Sequence, residues 1–191
     1  MKLSLSFIFS LCLLTFLNSN LFASTQWNRF DTDYYTVYYD SEIPLKSISK
    51  KLYIPNGILR KYNSQNVSKR DVEEHLKVKL DSIFQRTQAI LTMYPKGINL
   101  QLKIYKSTDE LKEKYKDMYK CAFKNRKGES YVISFYRNQD NTIYISYKDL
   151  RTAILAHETA HCIIAHYFLT PPPVKAQEIL AVYVDQHFND F

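Results

Sequence analysis

YKDLRTAILAHETAHCIIAHYF, residues 147–168, sets two histidines four positions apart inside a strongly apolar run. Leu150, Ala153, Ile154, Leu155, Ala160, Ile163, Ile164, Ala165 and Phe168 predict one helix over Tyr147–Phe168, with Asp149 near its start. Pro171-Pro172-Pro173 stops it shortly afterwards. Residues four apart on a helix share a face, one turn apart, so the imidazoles of His157 and His161 can reach one zinc ion. Glu158, next after the first histidine, is then placed to accept a proton from water attacking at that ion. The alternative is a purely structural pair of histidines. Burying two imidazoles and a carboxylate in an apolar helix without partners is costly, which favours the metal.

A second helix follows the prolines: VKAQEILAVYVDQHF, Val174 to about Phe188. A catalytic zinc takes three protein ligands and keeps one position open. The short proline loop folds this helix back beside the first, so Glu178 can point at the same ion; the alternative is a solvated helix glutamate. Asp185 lies seven residues beyond Glu178, two turns along the same face. It is placed to accept a hydrogen bond from the non-ligating nitrogen of His157 or His161.

On these residues the chain resembles the zincin metallopeptidases, in their glutamate-zincin branch. HETAH at 157–161 matches the HExxH helix, and Glu178-Ile179-Leu180-Ala181-Val182-Tyr183 is similar to that branch's third-ligand helix. The resemblance implies His157, His161 and Glu178 as zinc ligands and Glu158 as general base. It departs from the larger enzymes in a shorter gap from His161 to Glu178, which suggests a minimal scaffold. Ile179 also stands where nearer relatives carry glycine, leaving less room for substrate. The resemblance covers roughly residues 140–188.

Residues 1–23 read as a signal peptide: Lys2, an apolar run from Leu3 to Leu17, and small Ala23 before the cut. An uncleaved anchor is the alternative, against which the run is short for a bilayer and lacks basic residues after it. Residues 24–191 then form a single domain, exported to the periplasm or secreted. The chain carries 26 Lys and Arg against 19 Asp and Glu, a net charge of +7. Its densest basic patch is Lys120, Lys124, Arg126 and Lys127. That balance suits attraction to an anionic cell envelope, and export argues against a nucleic-acid partner. Cys121 and Cys162 can form a bridge in an oxidising compartment. Cys162 points about 100° away from His161, so it packs behind the site as an inert thiol rather than a nucleophile.

Phe30–Asp40 reads as one strand, and residues 45–67 as mixed structure with a turn at Pro55-Asn56-Gly57. Ser68 followed by Asp71 makes a cap for a long helix reaching about Thr92, with Val72, Leu76, Leu80, Ile83, Phe84, Thr87, Ile90 and Leu91 as its buried stripe. Leu100–Tyr105 alternates as a strand, and a short helix runs from Thr108 to Tyr119. Tyr131–Tyr136 and Thr142–Tyr147 form a hairpin that feeds the metal helix. The expected class is α+β and zincin-like: a small mixed sheet packed against the HExxH helix and a following ligand-bearing helix. In the family it resembles, an edge strand above the metal helix pairs with an extended peptide. Ile143-Tyr144-Ile145-Ser146 is the expected edge.

The leading functional expectation is a zinc-dependent peptidase acting on a peptide or protein substrate. One alternative is an exported binding or structural protein with non-catalytic zinc, for which Glu158 has no purpose. Another is a zinc enzyme cutting cell-wall peptide amides, which HExxH does not distinguish. A second electrophile for the oxyanion is not evident: helical phase turns His166 and His187 about 180° from the ligand faces and Tyr183 about 140°. Tyr144 or Tyr147 are examples of tyrosines that can serve instead.

Overall fold

The computed structural model describes residues 26–62, 71–119 and 132–190. Its strands are β1 (Trp27–Asp31), β2 (Tyr35–Asp40), β3 (Leu100–Tyr105), β4 (Ser134–Arg137) and β5 (Thr142–Ser146). Its helices are α1 (Leu45–Lys51), α2 (Asn56–Tyr62), α3 (Val72–Leu91), α4 (Thr108–Met118), α5 (Thr152–Tyr167) and α6 (Val174–His187). The strands form one mixed sheet in the order β1-β2-β3-β5-β4, with β2, β3 and β5 parallel and the two outer strands antiparallel to their neighbours. Helices pack against this sheet, and α5 and α6 bear the HExxH pair and Glu178, as the α+β expectation requires.

Alternation decides which face of the sheet is which. Leu100, Leu102 and Ile104 of β3 are buried, as are Ile143 and Ile145 of β5. They meet Leu76, Leu80, Ile83 and Phe84 of α3 and Leu155, Ile163 and Ile164 of α5 in one core. Each fully buried aliphatic side chain there contributes about 1.5–3 kcal/mol relative to exposure. Tyr144 and Phe135 point the other way and pack with Leu111 and Tyr115 of α4. No helix among the described residues is long and apolar enough to cross a membrane.

Helix α3 is the spine. Asp71 caps it by accepting the N–H of Glu74 at 2.8 Å, and Thr92 ends it in the left-handed region at φ 54°. Near its end, buried Arg86 donates to the carbonyls of His187, Phe188 and Asp190. Those carbonyls close α6 and its exit, where a helix leaves acceptors without intrahelical partners. One guanidinium thus ties the ligand-bearing helix to the spine.

Four expectations are corrected. Phe30–Asp40 is two strands, because Thr32 Oγ1 accepts the N–H groups of Tyr34 and Tyr35 and turns the chain between β1 and β2. Residues 45–62 hold two short helices, and Pro55 opens α2 by accepting from Ile58 and Leu59. The metal helix begins at Thr152 rather than Tyr147, since Asp149 instead receives the hydroxyls of Thr108 and Ser146 and holds a turn. Most consequential for function, Ile143–Ser146 is not an edge. It belongs to β5, paired on one side with β3 and on the other with β4, so among the described residues the edge strand on this side of the sheet is Ser134–Arg137. The signal-peptide reading of residues 1–23, the Ser68 cap, the basic patch, Cys121 and Tyr131 lie outside the described residues.

Candidate metal centre

Local chemistry aims the first two ligands. On α5, Leu155, Ala156, Ala160, Ile163 and Ile164 are fully buried and press the helix into the core. That fixes its rotation, and His157 and His161 emerge together on the flank facing α6, with ring centroids 4.9 Å apart. From α6, Ala181 and Val184 are buried against the same core, which turns Glu178 towards the histidines. His157 Nε2 and His161 Nε2 are 3.2 Å apart, and Glu178 oxygens lie 3.6 Å from the first and 3.4 Å from the second. Around a tetrahedral zinc with bonds of about 2.0–2.1 Å, ligand atoms stand about 3.3 Å from one another. The nitrogen pair and the contact of each histidine with its nearer Glu178 oxygen, Oε2 for His157 and Oε1 for His161, lie near that value, and one donor atom from each residue falls within 4.8 Å of the others. Two imidazoles and one carboxylate are also the donor set that zinc accepts in sites with an open position.

The surroundings fit the same ion. Asp185 Oδ2 accepts from His157 Nδ1 at 3.1 Å, which leaves Nε2 deprotonated and facing the cluster. That hydrogen bond holds the His157 pKa above its ordinary value, against the opposing effect of burial. Burial pulls His161 below its ordinary value, while Glu178 acts in the other direction. Gln177 donates through Nε2 to the Pro172 carbonyl at 2.8 Å and lines the cleft beside His161, whose charged form its side chain favours. His157 thus has an orienting partner in Asp185. Asp185 is legible from helical spacing; the only signal for Gln177 is its place directly before Glu178.

Glu158 is 6% exposed and lies on the sheet side of the cluster. Burial pushes its carboxyl above the usual range, opposed by the Ser134 hydroxyl, by His157 and by the backbone N–H of Tyr136. Ser134 Oγ donates to Glu158 Oε1 at 2.6 Å. Ligands and Glu158 share a cleft of about 450 Å³, walled by Phe135 and Tyr136 on β4 and by Ala165, Pro171 and Val174 opposite.

The two tyrosines offered as examples for the oxyanion are elsewhere: Tyr144 donates to Asp140 on the far face of the sheet and Tyr147 lies under Lys51. Tyr183, which helical phase turns away from the ligands, packs at a tilt on His187. Tyr136 lines the cleft, but its hydroxyl is engaged by Asn138 and Asn141. Cys162 is a buried free thiol donating to Asn141, and burial pushes its pKa up to about 12, so it is inert as expected.

A mixed sheet packs against helices, α5 carries His157-Glu158-x-x-His161 and α6 supplies Glu178, a metal-ligand cluster consistent with a zincin-like HExxH site. No family model matches the chain, and no curated protein or solved structure matches it.

Proposed function

We propose that this chain is a small zinc-dependent peptidase of the glutamate-zincin type, exported to the periplasm or secreted. The observation that carries the reading is a buried carboxylate, Glu158, opening on the cleft where three zinc-compatible donors converge. His157 and His161 through Nε2, and Glu178 through a carboxylate oxygen, would hold the ion. Bound zinc supplies Lewis acidity, polarising a scissile carbonyl and making water acidic near neutral pH.

The chain's own residues do the rest. Glu158 accepts a proton from the attacking water at its carboxylate and returns it to the departing amine nitrogen. Asp185 keeps the His157 imidazole turned inward. The open edge of β4 offers backbone donors and acceptors to an extended peptide, with the Pro171 and Val174 wall touching its side chains. Export is supported by the apolar run of residues 3–17 ending near Ala23, and net positive charge favours approach to an anionic envelope.

Glu158→Gln tests the reading, because it keeps shape and zinc but cannot take the proton. Digestion of a diverse peptide library, read by mass spectrometry, should fall by about 10²- to 10⁴-fold with zinc content unchanged. Equal cleavage by both proteins would remove Glu158 as the base. No cleavage by the zinc-loaded wild type would favour an exported binding or structural protein.

A further inference from the structure

Ser134 is the first residue of the edge strand β4, opposite Ile145 of β5. Strand alternation leaves it no choice of direction. Phe135 points into the far layer, stacking on Tyr144 at 4.8 Å and meeting Tyr115 edge-on, so Ser134 and Tyr136 face α5. There the Ser134 hydroxyl meets Glu158 Oε1 at 2.6 Å, within the short range of hydroxyl–carboxylate hydrogen bonds. Ile133 accepts from Ser146, so odd-numbered residues of β4 pair with β5 and even-numbered ones turn their backbone groups to the outer edge. The Tyr136 N–H, on that edge, favours the charged form of the same carboxylate.

We infer that Ser134 is a positioning residue: its hydroxyl locks the Glu158 carboxylate to the edge strand and so fixes the base against whatever peptide lies along that strand. A glutamate side chain has three rotatable bonds, and the last of them is intrinsically broad. The Ser134 donor restricts it. Because β4 is also where a peptide would add, base and substrate are referenced to one strand rather than to two elements. The inference rests on the peptidase reading for its catalytic consequence and on geometry alone for the contact.

The experiment compares Ser134→Ala and Ser134→Thr, with zinc and without. In the zinc-loaded proteins, kcat should fall about tenfold for Ser134→Ala while KM and zinc affinity stay within about twofold, and Ser134→Thr should recover most of kcat by restoring the hydroxyl. In the metal-free proteins, Ser134→Ala should lower the thermal midpoint by about 4 °C, and that loss should vanish in a Glu158→Ala background. Glu158→Gln, the same shape without the charge, should give an intermediate loss. Unchanged kcat in Ser134→Ala, failure of Thr to restore it, or additive midpoint shifts would each overturn the inference. Absence of cleavage by the zinc-loaded wild type would overturn the catalytic role together with the peptidase reading, and the metal-free cycle would separate that failure from loss of the contact itself.

Discussion

Asp185 stands directly behind His157, its Oδ2 3.1 Å from Nδ1 and its Oδ1 buried without a hydrogen-bond partner. A buried oxygen without a partner is costly, and the contact of the other oxygen with His157 is what offsets it. Asp185→Ala should leave the fold intact and weaken zinc binding about 10- to 100-fold, because His157 is then free to change tautomer and rotate. Competition against a chromogenic chelator measures this. Affinity equal to wild type would assign Asp185 to the surface.

Metal removal makes a separate prediction. Purified protein should carry about one zinc per chain. Stripping it with a chelator should lower the unfolding midpoint, since an ion bound to the folded state at about a thousand times its dissociation constant stabilises by about 4 kcal/mol. His161→Ala should abolish the response to chelator, and Glu178→Ala should strongly reduce it. A full response in Glu178→Ala would place the third ligand elsewhere.

A buried polar link joins the metal helix to β2, Tyr35 hydroxyl to Thr159 Oγ1 at 2.8 Å. Thr159 already donates its hydrogen to the Leu155 carbonyl at 2.7 Å, so Tyr35 is the donor. The two deletions are therefore unequal. Tyr35→Phe removes a donor and should cost about 1 kcal/mol; Thr159→Val strands a fully buried phenol and should cost about 1–3 kcal/mol. Urea denaturation of both variants checks the order, and a larger loss for Tyr35→Phe would contradict the assigned direction.

Much of this centre is legible before any coordinates. Two histidines, a glutamate and Asp185 fall into place from helical spacing alone, because helix faces are a local property of sequence. Leu100–Tyr105 is legible for the same reason, its alternation being complete. Strand order is not local. Ile143–Ser146 looks like any exposed hairpin arm until its pairing with β3 is known, although burial of all five β5 residues is the mark of an interior strand. Ser134 escaped for the same reason: a serine at a strand start acquires meaning only when the strand lies over Glu158. The break at Thr32 was hidden by flanking aromatic and β-branched residues that favour strand throughout.

Asp81 gives a pH prediction away from the metal. Burial raises its carboxyl above the ordinary 3.8, and its Oδ1 has no hydrogen-bond partner. A raised folded-state value favours the folded protein most below the ordinary aspartate range, and that contribution is lost as pH climbs through the raised value. At neutral pH the charged form therefore opposes folding. Asp81→Asn, neutral throughout, should gain stability relative to wild type as pH rises from about 3.8 to 7, and denaturant titrations across that window measure the difference. A gap that is constant or narrows with rising pH would contradict the sign.

The Arg86 clamp has a consequence in time. Its three carbonyl partners come from His187, Phe188 and Asp190, about a hundred residues later in the chain. As the polypeptide emerges from its N-terminus, the spine, the sheet and both histidines are made before the residues that fasten α6 exist. Glu178 and Asp185 stand on a helix whose guanidinium tie to the spine waits for its last turn. A growing chain therefore presents two ligands without the third, and the third is clamped to the spine only once residues beyond it, through Asp190, have been made.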